Sequence, residues 1–132
     1  MFARTKKNLP TKPTEYPPGT FVESDLGYFY ITSPSKRYFI ITKRVLDSWS
    51  PPRVAKTTEE ALKNYRVASR MKFRNGSLIN NMADGRLYLI VEGLKCPVVS
   101  PDVMPRIGAS QRDVILVSKD EAGLHKLGEE IT

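Results

Sequence analysis

Gly19-Thr20-Phe21-Val22 returns as Gly76-Ser77-Leu78-Ile79, 57 residues further along the chain. Gly27-Tyr28-Phe29-Tyr30-Ile31 returns as Gly85-Arg86-Leu87-Tyr88-Leu89 at an offset of 58. Phe39-Ile40-Ile41-Thr42 matches Pro97-Val98-Val99-Ser100 at the same offset, and Val45 matches Val103. Val54, Thr57 and Glu60-Ala61 match Ile115, Ser118 and Glu121-Ala122 at an offset of 61. The order of matches never breaks, so the chain reads as a duplication, which confines it to two like units. The division is an arm (residues 1–18), copy one (19–74) and copy two (75–132). A unit of about 55 residues buries little core alone, so the copies are expected to support each other.

Within each copy the pattern gives an α+β fold. Thr20 to Glu23 and Leu78 to Asn80 are short strands opening after a glycine. Tyr28 to Thr32 and Arg86 to Val91 are dense in aromatic and β-branched residues and read as second strands. Lys36 to Ile41 and Lys95 to Val99 return as third strands after tight turns, giving an antiparallel meander. Thr42 and Ser100 sit where N-caps belong, ahead of short helices at Lys43 to Trp49 and Pro101 to Ile107. Extended pieces follow at Arg53 to Lys56 and Val114 to Val117, then helices at Glu59 to Tyr65 and Lys119 to Leu127. Each copy is therefore β-β-β-α-(β)-α, with the helices or the other copy covering the sheet.

Charge is unevenly spread over the 132 residues, whose formal net charge is +7. The arm carries four Lys or Arg against one Glu, a net of +3. Copy one carries eleven against five, a net of +6, and copy two six against eight, a net of −2. Such asymmetry suits a phosphate-bearing partner or head-to-tail contact between identical subunits.

Catalytic and metal chemistry find no foothold in the pattern. The single cysteine, Cys96, allows no intrachain disulfide and reads as a half-buried apolar side chain. The single histidine, His125, lacks partners at metal-ligand spacing and is expected at a surface or helix end. There is no G-x-S-x-G elbow, no phosphate-binding G-x-G-x-x-G and no Walker sequence. No enzyme activity and no cofactor are expected. No apolar run approaches the roughly 20 residues of a membrane span, and the first residues do not read as a signal peptide.

The run Gly85-Arg86-Leu87-Tyr88-Leu89-Ile90, Gly93-Leu94-Lys95 and Val98-Val99-Ser100-Pro101-Asp102-Val103 carries a resemblance, joined by Asp113-Val114-Ile115-Leu116-Val117-Ser118 and Leu127-Gly128. It resembles the tandem repeats that accompany bacterial, especially actinobacterial, cell-surface proteins and that occur in tailed-phage virion proteins. Copy one departs from the pattern where Ser35 replaces the hairpin glycine and Pro51-Pro52 follows Trp49. The resemblance implies an accessory module without catalytic residues, here a structural or docking part of a larger assembly. A phage particle, formed in the host cytoplasm, is the setting it favours.

Candidate contact residues lie in two places. The proline-rich arm is expected to be extended, with Phe2, Leu9 and Tyr16 as anchors and Arg4, Lys6 and Lys7 as electrostatic guides onto a neighbour. Lys36-Arg37 and Lys43-Arg44 bracket a strand beside Tyr38 and Phe39, whereas copy two keeps only Lys95 there. Trp49 is expected in the core, with an interface anchor as its alternative. The expected partners are protein subunits, identical copies included, and no membrane. A basic nucleic-acid-binding module ranks second, and a cell-surface binding module third.

Overall fold

The computed structural model describes residues 9–132. It is an α+β fold with two mixed sheets, and among the described residues nine strands and three short helices. The strands are β1 (Phe21–Ser24), β2 (Gly27–Ser33), β3 (Lys36–Ile40), β4 (Ala55–Lys56), β5 (Arg66–Arg70), β6 (Leu78–Asn81), β7 (Arg86–Val91), β8 (Leu94–Pro97) and β9 (Val114–Val117). The helices are α1 (Lys43–Ser48), α2 (Val103–Arg106) and α3 (Lys119–Ala122). No helix among these residues is long and apolar enough to cross a membrane.

The chain forms two compact units. Unit one holds the chain through Lys43 and again Ser50–Met71; unit two holds Arg44–Trp49 and Lys72–Thr132. The body of α1, read from the sequence as part of copy one, thus belongs to unit two. There Trp49 Nε1 donates to the Lys72 carbonyl at 2.9 Å, and the Arg74 N–H donates to Ser48 Oγ at 3.2 Å. Arg44 donates to the fully buried Glu121 at 2.9 Å, so the helix supplies this carboxylate with a cation.

Unit one is a five-stranded sheet in the order β4-β1-β2-β3-β5. The meander β1-β2-β3 is antiparallel, and β4 and β5 join its two edges in parallel to β1 and β3. Alternation in the sequence decides which side chains meet. Val22, Phe29 and Ile31 point to one face and are buried with Leu62 and Tyr65, and Tyr16, Phe39 and Ala55 pack against them. Each large apolar side chain buried this way contributes about 1.5–3 kcal/mol.

Unit two repeats the plan. Its sheet runs β8-β7-β6-β9, with β9 parallel to β6 as β4 is to β1. Parallel bridges of Lys95 with Leu127 and Val98 with Ile131 put the last residues beside β8, where β5 stands beside β3. The strand registers sharpen the repeat. Phe21 faces Tyr30 and Leu78 faces Leu89, so the second strands correspond at an offset of 59, not 58. The cause is the first hairpin: Ser24 pairs Gly27 across a two-residue turn, and Asn81 pairs Arg86 across four. A one-residue slip would have exchanged the faces of the strand; at 59, buried Phe29 and Ile31 correspond to buried Tyr88 and Ile90. Beyond the helix the offset is 60, because Thr58 Oγ1 caps the Ala61 N–H as Ser118 Oγ caps that of Glu121.

The expected helices are shorter than read from the sequence or absent: Pro101 to Ile107 is helical only over Val103–Arg106, with Asp102 and not Ser100 at the N-cap position. Residues 59–65 form successive turns, with Leu62 N–H to Glu59 O, Lys63 N–H to Glu60 O and Tyr65 N–H to Leu62 O. These three-residue links bury Ala61, Leu62 and Tyr65 together and deliver the chain to β5 within a few residues. The last helix stops at Ala122 before Gly123, so that the chain from Leu127 can run beside β8.

Candidate docking edge

Strand β5 has the sequence Arg66-Val67-Ala68-Ser69-Arg70, and all five residues are exposed. Among the described residues it has a single strand neighbour, β3, so one row of its backbone donors and acceptors is free of sheet pairing with them. Its ends are pinned: the Arg66 N–H donates to Ser35 O at 3.0 Å and the Met71 N–H to Phe39 O at 2.8 Å. Beside it lies an open, mostly apolar groove of about 660 Å³, lined by Leu26, Phe29, Phe39, Val67, Ala68 and the chain to Arg70. Leu26 and Val67, at its rim, are 64% and 51% exposed.

A partly buried ion pair braces this edge. Arg37, only 7% exposed, donates from Nη1 and Nη2 to the Glu59 carboxylate at 3.0 and 2.9 Å. Its Nε donates to the carbonyl of Tyr65, the residue before β5, at 3.0 Å, and its guanidinium lies 4.3 Å over the Phe29 ring. Phe29 in turn contacts Phe39 with ring centroids 5.4 Å apart. The Arg37 hydrogen bonds hold the Glu59 carboxyl below its ordinary pKa, against the opposing effect of burial and with help from the Ser24 hydroxyl. The floor of the groove and the start of β5 are thereby locked to one guanidinium.

Unit two reproduces the edge with different chemistry. Lys95 corresponds to Arg37 and Tyr88 to Phe29, and the Lys95 ammonium lies 5.4 Å from the Tyr88 ring centre. Lys95 Nζ donates to the Ala122 carbonyl at 3.3 Å. The outer segment is held by Lys95 N–H to Lys126 O and Gly128 N–H to Lys95 O, both 2.9 Å, and by Ile131 N–H to Pro97 O at 2.8 Å.

The residues singled out from the sequence fall differently. Phe2, Arg4, Lys6 and Lys7 lie outside the described residues. Leu9 is half-buried in unit one. Tyr16 is an anchor within its own chain: its N–H donates to Tyr65 Oη at 2.7 Å and its hydroxyl to Thr57 Oγ1 at 2.7 Å. Thr14 N–H to Ala61 O and Thr58 Oγ1 to Pro10 O likewise lay the described part of the arm on unit one. Arg37 leaves the contact set, since Glu59 and Tyr65 hold it inside. Lys36 is exposed at the start of β3 and Lys43 at the start of α1, while Arg44 pairs with Glu121 in unit two. The exposed cations of β5, Arg66 and Arg70, were not expected as a site. The signal for them was the correspondence of Val67 and Met71 with Leu127 and Ile131 at an offset of 60.

Comparison with known proteins gives no match to a family model, to a curated protein or to a solved structure.

Proposed function

We propose that this chain is a non-enzymatic docking component of a larger assembly, joined to neighbouring protein subunits through the β5 edge and its groove. One observation carries the reading: a sheet edge with free backbone, exposed apolar side chains and flanking arginines, held rigid by the Arg37–Glu59 pair. Edge strands invite a partner strand, the backbone supplying affinity and the groove selectivity. The repeat resemblance suggests a tailed-phage particle, at a connector, tail, baseplate or capsid surface. The nucleic-acid reading loses Arg37, the cation nearest its supposed aromatic surface.

The test is peptide mass spectrometry on particles banded in a density gradient from a producing culture. The reading expects the chain in the band at a fixed ratio to the other particle proteins. Recovery of the chain only from the unbanded fraction would contradict it.

A further inference from the structure

The two outer edges occupy equivalent places in their units, yet they carry opposite charge. At an offset of 60, Val67 corresponds to Leu127, Ser69 to Glu129, Arg70 to Glu130 and Met71 to Ile131. Arg66 and Arg70 are exposed on the first edge, Glu129 and Glu130 on the second, where Lys126 is the lone cation. Among the described residues none of these four charges belongs to an ion pair. Exposed apolar side chains sit at matching positions, Val67 at 51% and Leu127 at 63%.

Charge decides between the possible pairings of such edges. Two β5 edges brought together would set arginines against arginines, and two 127–131 edges would set glutamates against glutamates. Only the unlike pairing joins Arg66 and Arg70 to Glu129 and Glu130 while covering Val67 and Leu127. We infer that the occupant of the β5 edge is the 127–131 edge of a second copy of this chain, giving a head-to-tail contact between copies. Such a contact leaves one free edge of each kind at the ends, so it extends into a row or closes into a ring. The inference rests on the docking reading above and names its partner.

Sedimentation velocity on the full chain at low ionic strength, over a concentration series, tests it with two charge-reversed variants, R66E/R70E and E129R/E130R. The native chain is expected to grow beyond a monomer as concentration rises, and each variant alone to associate at least about ten-fold more weakly. An equimolar mixture should regain association, because each variant then meets an edge of opposite sign. Raising salt to 1 M, where the screening length is about 3 Å, should weaken the native contact. Circular dichroism checks folding, and R66Q/R70Q with E129Q/E130Q gives a milder pair should a reversal unfold the chain. A native chain that is monomeric throughout, variants that associate like the native chain, or a mixture that stays monomeric would each overturn the inference. A monomeric chain found in particles would remove the self-pairing and leave the docking reading standing.

Discussion

Gly128 is a position where the size of one hydrogen decides packing. A Cβ placed there would lie 2.7 Å from Cys96 Sγ and 3.0 Å from Leu94 Cβ, below any ordinary contact. Gly128→Ala should therefore force the outer segment away from β8 and cost about 1–3 kcal/mol in urea denaturation. His125 makes a different point. Of the two places expected for it, a surface or a helix end, it takes the second: it follows the last helix and is 3% exposed, accepting the Phe73 N–H at Nε2 (3.1 Å) and donating from Nδ1 to Gly93 O (2.7 Å). Tyr65 plays the same part for Tyr16 in unit one, and nothing in the letters His and Tyr reveals that they correspond. Burial, with Lys72 and Lys95 nearby, pushes the His125 pKa below its usual value against the opposing Gly93 hydrogen bond. The unfolded chain then takes up the proton first, so the stability from the neutral ring is intact above about pH 6.5 and is lost as pH falls below it. Chemical denaturation at pH 7 and pH 5 should show this loss in the native chain and a smaller one in His125→Gln.

Among the elements, the meander strands and β9 were legible because aromatic and β-branched runs sat between clear turns. β5 was not, since Arg66-Val67-Ala68-Ser69-Arg70 has one large apolar residue and no alternation to mark a strand. Its start is fixed in part by Arg37, a residue distant in sequence whose Nε reaches the Tyr65 carbonyl. Arg37→Ala should leave the partly buried Glu59 without its cation, cost about 2–3 kcal/mol and speed amide exchange through Arg66–Met71. The Glu59 share of stability is present above its ordinary pKa of about 4.3 and is lost as pH falls through its lower folded value. The crossing of α1 into unit two was equally hidden, because its apolar residues Val45 and Leu46 predict burial but not against what. Arg44→Ala should cost about 1–3 kcal/mol by stripping the buried Glu121 of a charged donor, and a double-mutant cycle with Glu121→Gln should show coupling between them.

For the whole molecule, the four-stranded order β8-β7-β6-β9 matches β3-β2-β1-β4 of the five-stranded sheet, and the segments beside β3 and β8 differ in charge. The repeat was legible in outline, and its register was not, since the two extra residues of the second hairpin become visible only through strand pairing. The proposed docking site was half legible. Positive charge in copy one and negative charge in copy two stood in the sequence, but the β5 strand and the bridged 127–131 segment that display them did not. The free edge of β5 is where the account places the contact with a neighbour, and amide hydrogen exchange reads that edge residue by residue. Comparing the full chain when dilute with the same chain in its assembled state, the account predicts slower exchange across Arg66–Arg70 on assembly. Unchanged exchange there, with protection appearing elsewhere in the chain, would contradict it.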